Sequence, residues 1–351
     1  MENQENIHKR RVRYKGTHPK RFEEKYKEQH PEAYPETVQR VISKGSTPAG
    51  MHIPICVEEI LEFLQIKPGQ IGLDATLGYG GHSQAMLACL QGEGHLYGLD
   101  VDPAELPKTR ERLASHGYGP EIFTACQLNF ADIDILAREA GPFDFILADL
   151  GVSSMQIDNP ARGFSYKKDG PLDLRLNPEK GMSAAKRLKE VSKEELIGML
   201  DENADEPYAK ELAAGILAAR KRKIQLDTTG KLRQVIEKSL DFLPDTIREE
   251  EIKKSCARTF QALRIDVNSE FEVLDQLMEK LPMVLAPGGR AAVLTFHSGE
   301  DRIVKKAFKY YQREGLYEAV AEKVIRPSAE ECARNSRARS TKMRWAIKKK
   351  N

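Results

Sequence analysis

The chain has 351 residues, of which 40% are hydrophobic, enough to build a core larger than a small single domain needs. Lys and Arg total 55 against 53 Asp and Glu, so the net charge indicates neither a nucleic-acid partner nor an acidic one. The charge is uneven, because residues 1–30 carry nine basic and five acidic side chains, and residues 326–351 carry nine and two. The two ends therefore either contact phosphates or are solvated termini.

Five scattered cysteines form no C-x-x-C pair that could hold zinc, so we predict no metal site. They are typical of reduced thiols in the cytoplasm. No stretch approaches the roughly 20 apolar residues needed to cross a bilayer, and the polar N-terminus lacks the apolar centre of a signal peptide. We expect a cytoplasmic protein without a membrane partner; the sequence predicts no oligomeric state.

The first 46 residues are polar and lack apolar periodicity, which predicts a basic, flexible arm. Apolar residues at helical spacing between Val57 and Leu64 predict the first helix of a folded domain that begins near residue 50. Four short apolar runs that end in polar residues then predict buried parallel strands: Ile71–Asp74, Leu96–Asp100, Ile122–Cys126 and Phe143–Asp149.

Segments suited to crossover helices separate these runs, which is the alternation of a doubly wound α/β sheet. The rhythm stops after Asp149, and residues 170–255 predict an inserted all-helical domain. Its short amphipathic helices are indicated by Leu196, Leu200, Leu212, Ile216, Ile224 and Leu232. A fifth strand is predicted at Arg290–Phe296 after a turn at 286–289, and Tyr317–Ile325 and Met343–Ile347 predict two more. The sheet would then have seven strands, formed by residues 50–170 and 255–351.

A glycine-rich loop follows the first predicted strand at residues 74–83, where Gly78, Gly80 and Gly81 permit a tight turn and close approach to a ligand. Asp100, 20 residues after Gly80 at the end of the next strand, stands where a carboxylate binds ribose hydroxyls. Asp102 extends this ribose clamp or caps the following helix. The pattern suits a dinucleotide as well as S-adenosylmethionine, so it does not settle the cofactor.

The fourth strand ends at Asp149, followed by Ser153, Ser154 and Gln156. A carboxylate with hydroxyls and an amide at this sheet edge suits a charged sulfonium and an amine. The chain has no Pro-Cys dipeptide, which argues against covalent attack on cytosine carbon 5. It also lacks the Asp/Asn/Ser-Pro-Pro-aromatic signature of DNA amino-methyltransferases, so RNA is the favoured acceptor.

A longer series of motifs resembles the 16S rRNA cytosine-N4 methyltransferase family, also called MraW. In chain order these are His52-x-Pro54, Asp74-x-Thr76-x-Gly78-x-Gly80-Gly81-His82-Ser83, Asp149-Leu150-Gly151-Val152-Ser153-Ser154, Arg162-Gly163-Phe164-Ser165, Asp169-Gly170-Pro171-Leu172-Asp173, Arg258-Thr259-Phe260-Gln261-Ala262-Leu263-Arg264-Ile265, Pro287-Gly288-Gly289-Arg290, Phe296-His297-Ser298, Glu300-Asp301-Arg302 and Asn335-x-Arg337-Ala338-Arg339-Ser340. They cover residues 51–345 in order.

The resemblance implies a Rossmann-like class I methyltransferase fold, S-adenosyl-L-methionine as methyl donor, and the N4 amine of a decoding-region cytidine in 16S rRNA of the small ribosomal subunit as acceptor. Carried over by position, the cofactor contacts would be Gly80, Gly81, His82, Asp100, Phe130, Asp149 and Gln156. The catalytic candidates are Asp149, Ser154 and His297, where His297 serves as proton acceptor or as a structural hydrogen-bonding group. The candidates for RNA binding are Arg162, Phe164, Arg258, Arg264, Arg337 and Arg339, with Tyr166 and Phe260 as further aromatic groups.

The sequence departs from the family pattern at two places and has an additional arm. Such features are expected of a divergent second copy of the enzyme. Gly299 stands where the family usually has Leu, and Lys254–Ala257 replaces the usual His-Pro-Ala before the Thr-Arg-Thr-Phe run. The sequence leaves two alternatives open. One is a nicotinamide-dependent dehydrogenase on the same glycine loop, and the other is a non-catalytic RNA-binding or assembly protein that retains the pocket.

Overall fold

A computed structural model describes residues 54–350. The predicted arm, residues 1–46, and His52 of the first motif lie outside this range. Within it, seven strands form one sheet in the order β3-β2-β1-β4-β5-β7-β6. The strands are β1 Ile71–Asp74, β2 His95–Asp100, β3 Phe123–Gln127, β4 Phe143–Asp149, β5 Leu285–Thr295, β6 Tyr317–Val320 and β7 Lys342–Lys348.

The first five strands pair in parallel, whereas β7 is antiparallel to both β5 and β6. This arrangement confirms the predicted Rossmann-like class I methyltransferase fold with seven mostly parallel strands. It differs from the all-parallel order 3-2-1-4-5-6 of dinucleotide-binding domains. The dehydrogenase alternative thereby loses the support of the sheet.

The prediction of a turn at residues 286–289 is wrong, since this segment lies inside β5. Phe143 of β4 pairs with Leu285, but Phe145 pairs with Arg290, so the intervening residues of β5 bulge from the ladder. Gly288 takes up the bend with a φ of 74°. The sixth predicted strand is too long, because β6 ends at Val320 and Ile325 forms only an isolated bridge with Met343. The seventh is too short by one residue at each end.

Thirteen α-helices are present between residues 54 and 350. They are α1 Val57–Leu64, α2 Gly81–Leu90, α3 Leu106–Ser115, α4 Ile133–Ala140, α5 Ser154–Asp158, α6 Ala184–Glu190, α7 Lys193–Ala204, α8 Ala209–Lys221, α9 Thr229–Ser239, α10 Asp245–Asn268, α11 Glu270–Val284, α12 Ser298–Arg313 and α13 Ala329–Arg334. In this part of the chain no helix is long and apolar enough to span a membrane.

The sheet is covered on both faces, as its parallel strands require. Leu64 of α1 and Met86 of α2 pack on one face, and Leu277 of α11 and Phe308 of α12 pack on the other. The carboxyl ends of β1, β2 and β4 are left open between these layers. The crevice at this edge is where ligands bind in such sheets.

Helices α6 to α10 lie between β4 and β5 and share their own apolar core. The five predicted core leucines and isoleucines of this segment are fully buried: Leu196, Leu200, Leu212, Ile216 and Leu232. Ile224 was placed in this pattern wrongly, because it follows the end of α8 and is 48% exposed. The expected boundary at residue 255 lies inside α10, which extends from this core to the crevice; the division into two domains stays a prediction.

Candidate active site

A cavity of about 400 Å³ opens at the carboxyl ends of β1, β2 and β4. This size suits a nucleoside-sized cofactor. All seven residues predicted to contact the cofactor line it: Gly80, Gly81, His82, Asp100, Phe130, Asp149 and Gln156. Ser154 and His297, the other predicted catalytic residues, line it as well.

The glycine loop is held against α3 on the side away from the cavity. Thr109 donates a hydrogen bond of 2.6 Å from Oγ1 to the carbonyl of Gly78, and Arg112 donates one of 2.7 Å to the carbonyl of Tyr79. Gly80 has a φ of 82°, and a Cβ there would lie 2.8 Å from the Thr109 methyl group. Glycine is therefore required by both the backbone and the packing.

Two carboxylates fix this loop from the strand tips. Asp74 is buried and accepts hydrogen bonds from the Ser83 hydroxyl and the Thr76 N–H, at 2.6 and 3.1 Å. Asp100 accepts one from the Gly78 N–H through Oδ2, at 2.9 Å. Burial raises the pKa of Asp100 to about 6. Its oxygens retain lone pairs at the cavity wall that can accept from ribose hydroxyls.

Asp102 has a different place from the one predicted, since it is fully buried and does not line the cavity. It accepts hydrogen bonds from Arg162, at 2.6 Å, and from the Gln156 amide, at 3.1 Å. It is therefore neither a ribose ligand nor the N-cap of α3, which is Glu105. The carboxylate instead joins β2 to the segment after β4.

Asp149 stands at the tip of β4 with one oxygen beside His82 and the other without a partner among residues 54–350. Its Oδ2 lies 3.4 Å from Nδ1 of His82, while its buried Oδ1 has no hydrogen-bond partner among residues 54–350. Nε2 of His82 is 2.9 Å from the carbonyl of Ile55, which can only accept, so Nε2 carries a proton and Nδ1 faces Asp149. Burial raises the pKa of Asp149 to about 6, although His82 opposes this shift.

These groups fit S-adenosylmethionine. A buried oxygen without a partner is costly unless a ligand satisfies it, and the free Oδ1 of Asp149 suits a cationic group or an amine. Asp100 suits the ribose, and apolar side chains of the lining, among them Leu99 and Phe130, suit a purine ring. We infer that the cavity is shaped for this cofactor.

Helix α5 sets the floor of the cavity through a reciprocal cap. Ser153 accepts a hydrogen bond from the Gln156 N–H, and the Gln156 Oε1 accepts one from the Ser153 N–H. With its amide nitrogen bound to Asp102, Gln156 has both ends of its side chain engaged within the protein. Ser153 is likewise used as a cap, whereas the Ser154 hydroxyl has no hydrogen-bond partner among the described residues.

His297 is the N-cap of α12, which supports its predicted role as a structural hydrogen-bonding group. Its Nδ1 faces the Glu300 N–H at 3.4 Å, and its Nε2 is 3.1 Å from Oε1 of Glu300 without the alignment of a hydrogen bond. Burial alone would raise the pKa of Glu300, but His297 and Arg264 lower it, so Glu300 is held ionised. A role of His297 as proton acceptor stays a prediction.

The departure at Gly299 makes room for a neighbouring ring. A Cβ at Gly299 would lie 2.6 Å from Cζ of Phe271 and 3.1 Å from Nδ1 of His297. Phe271 lies against His297, with ring centroids 5.8 Å apart. Space that a side chain at position 299 would fill is thus occupied by Phe271.

A second cavity, of about 320 Å³, adjoins the first. Its walls carry three aromatic rings, Phe164, Tyr166 and Phe260, and the rings of Tyr166 and Phe260 lie 5.7 Å apart. Five residues line both cavities: Val152, Ile157, Gln261, Arg264 and Arg337. Aromatic walls beside a cofactor cavity suit a base that is rotated out of an RNA strand.

The six predicted RNA-binding residues do not all meet there. Phe164, Arg264 and Arg337 do, although Arg264 makes a bidentate pair with Glu270 and Arg337 pairs with Asp158 at 3.0 Å. The structure argues against the predicted RNA contact of Arg162, because its guanidinium is bound to Asp102 and to two backbone carbonyls.

The remaining two arginines line neither cavity. Arg258 lies 3.9 Å from the buried Glu206 in the helical segment, and Arg339 is exposed. Sequence reasoning also missed Thr76, whose hydroxyl accepts a hydrogen bond of 2.6 Å from the Asp149 N–H and so ties two strand tips together. The Asp-x-Thr spacing of the loop was the only signal for it.

Cofactor affinity should depend on pH, because the pKa values of two carboxylates in the cavity wall, Asp100 and Asp149, are raised. Asp100 and Asp149 are ionised above their pKa of about 6 and protonated below it, so a cationic ligand loses attraction as the pH falls through 6. We expect the Kd for S-adenosylmethionine to be constant above about pH 7 and to rise about tenfold per unit below 6 for each group that must be ionised. Calorimetric titration from pH 5 to 8 checks this, and equal affinities at pH 5 and 7.5 would contradict it.

Gly163→Ala should damage the aromatic cavity. Gly163 has a φ of 73°, and a Cβ there would lie 2.2 Å from the carbonyl oxygen of Pro171, so the loop that carries Phe164 must move. We expect a lower melting temperature and a higher KM for RNA. Gly181→Ala is the control, since Gly181 has a φ of 72° but its Cβ would be 3.9 Å from the nearest atom. Equal effects of both changes would show that only backbone strain matters.

Comparison with known proteins places these features in a family. The model of a family described as the MraW methylase family matches residues 49–349. Ribosomal RNA small subunit methyltransferase H 1 of Lachnoclostridium phytofermentans is 69% identical, over 99% of this chain and 95% of that protein. The protein of the same name from Agathobacter rectalis is 63% identical, over 98% and 99%. Ribosomal RNA small subunit methyltransferase H of Dictyoglomus thermophilum is 39% identical, over 86% of this chain and 98% of its own.

Proposed function

The chain belongs to the MraW methylase family, and from this premise we propose that it transfers a methyl group from S-adenosylmethionine to the exocyclic N4 amine of a cytidine in the decoding region of 16S rRNA. The relatives named for the small ribosomal subunit support the RNA acceptor. The observation that carries the proposal is the free Oδ1 of Asp149, buried at a strand tip in the wall of the cofactor cavity.

The cofactor supplies an activated methyl group, so the protein has to position the nucleophile and shape the charge around it. A cytosine amine is a weak nucleophile, because its lone pair is delocalised into the ring. Asp149 can accept a hydrogen bond from the amine through Oδ1 and stabilise the positive charge that develops on nitrogen. His82 lies 3.4 Å from the other carboxylate oxygen and limits the orientations open to Asp149.

Ser154 and the aromatic rings complete the arrangement. Ser154 is at the N-terminus of α5 and can hydrogen-bond the base beside Asp149. Phe164, Tyr166 and Phe260 can stack the rotated base, while Arg337 lies at the junction of the two cavities, where a phosphate would enter. Arg162 and Asp102 act one step away, by holding α5 against β2.

The proposal is tested with labelled cofactor and 30S subunits that lack the modification. Purified protein should transfer label to 16S rRNA, and digestion followed by mass spectrometry should find N4-methylated cytidine at a single position. Labelling of a different base or of a ribose would reject the N4 specificity. Binding of the subunit without transfer, while the cofactor still binds, would favour the non-catalytic assembly protein.

A further inference from the structure

The exposed face of α12 carries a row of cations that the proposed reaction does not use. Arg302, Lys306, Lys309 and Arg313 are spaced by four, three and four residues, so they share one side of the helix, with Lys305 beside them. All five side chains are exposed. We name the row of four the α12 stripe. At 1.5 Å per residue it extends about 16 Å along the helix.

The α12 stripe is free of compensating acids. None of its members has an ion pair or a side-chain hydrogen bond with another described residue. The two acids of the helix both point elsewhere, since Glu300 is buried at the N-terminus and Asp301 pairs with Lys342 and Arg344. The neighbouring helix α11 exposes Glu272, Asp275 and Glu279, yet no ion pair joins them to the stripe within residues 54–350.

Helix α10, by contrast, has exposed cations that are neutralised by acids of the same helix. On α10, Lys253 pairs with Glu249 at 2.6 Å and Lys254 with Glu250 at 2.7 Å. Surface pairs of this kind have little energetic value, but they cancel the local potential. The stripe retains more of its potential, because no ion pair within residues 54–350 offsets it.

The position of α12 connects the stripe to the active site. The helix begins at Ser298, directly after Phe296 and His297, which line the cofactor cavity. Tyr310 lies among the last cations of the row and is 55% exposed, so a ring is available for a base. A row of unpaired cations with an exposed aromatic residue is the pattern of a surface that tracks an RNA strand.

We propose that the α12 stripe binds the phosphates of the rRNA segment next to the target nucleotide and leads it to the cavity. This inference rests on the proposed function and adds the surface on which the substrate is held. Phosphate contacts position a nucleic acid without reading its sequence. The stripe should therefore contribute affinity and salt dependence, and leave the methyl-transfer step unchanged.

The test is the triple variant Lys306→Gln/Lys309→Gln/Arg313→Gln against the control Lys67→Gln/Arg110→Gln/Lys193→Gln, which removes the same charge from exposed cations outside α12. Binding to 30S subunits lacking the modification and to protein-free 16S rRNA is measured across a salt series. The stripe variant should lose about tenfold in affinity and reduce the salt slope by about 2–3, with kcat unchanged and KM raised. The control should match the wild type.

Each other outcome has a definite meaning. If the stripe variant and the control behave alike while the wild type methylates its substrate, the stripe is rejected and the proposed function stands. If the stripe variant binds RNA more weakly but the wild type transfers no methyl group, the proposed function is rejected and the stripe stands. A loss seen with 30S subunits but not with protein-free rRNA would make the partner an acidic protein and overturn the RNA assignment.

Discussion

Replacing Asp149 with Asn should reduce kcat/KM for methyl transfer by about 10²–10³, which is the effect of removing one preorganised charged group from a site where charge develops. Oδ1 of the carboxylate is buried and has no partner in the described part of the chain that could take over its task. Asn is isosteric and can still face Nδ1 of His82, so the local packing should persist. The loss should therefore appear in activity and not in the melting temperature.

Asp144→Asn is the matched control, because Asp144 lies near the other end of the same strand, away from the crevice. Its carboxylate accepts a hydrogen bond of 2.8 Å from the Ile71 N–H and lines neither cavity. We expect near-normal kinetics for this variant. Full activity of Asp149→Asn, with cofactor affinity retained, would reject the role given to the β4 carboxylate.

Asp102→Asn should have the second large effect, and it should fall on stability. Asp102 is fully buried and its Oδ2 is shared by Arg162, at 2.6 Å, and by the Gln156 amide. Removing one partner of a buried ion pair leaves an uncompensated charge, which costs about 3–5 kcal/mol. We expect the free energy of unfolding to fall by that amount and the melting temperature by at least about 5 °C.

Asp100→Asn provides the comparison from two residues away on the same strand end. Asp100 lines the cofactor cavity, so its change should weaken cofactor binding while costing only about 1 kcal/mol of stability from a weakened hydrogen bond. A double-mutant cycle of Asp102→Asn with Arg162→Met should show coupling, since both changes break the same pair. If Arg162→Met instead raised the KM for RNA at unchanged stability, the original RNA-binding interpretation of Arg162 would be restored.

The polar residues in and beside the cofactor cavity fall into two groups, those whose side chains are hydrogen-bonded within the protein and those with free acceptors. The side chain of Gln156 is hydrogen-bonded to Asp102 and to the N-cap of α5. Asp100 and Asp149, in contrast, retain free acceptors at the cavity wall. Variants of the first pair should affect folding and the second pair affinity and rate. This division gives the thermal and the calorimetric measurements different expected answers for residues that are close together.

By itself, the sequence determined most of the sheet and the place of the crevice, because these depend on local patterns, whereas contacts such as Phe130 and Gln156 were implied by the family resemblance. Buried strands such as Ile71–Asp74 and Phe143–Asp149 are uninterrupted apolar runs that end at the residue facing the crevice, so their limits could be predicted to the residue. Parallel strands bring their carboxyl ends to one edge, which is why Asp100 and Asp149 could be placed beside the same glycine loop.

Only the tertiary structure decided which of these polar residues are free. Asp102 and Arg162 are 60 positions apart and meet because the segment after β4 folds back over β2, a contact that no periodicity encodes. The bulge that keeps residues 286–289 inside β5 likewise depends on the neighbouring strand, since the turn residues alone indicate a chain reversal. Residue types are read from local sequence, but hydrogen-bond partners and unpaired charge, as at Asp149 and along α12, are set by contacts between distant segments.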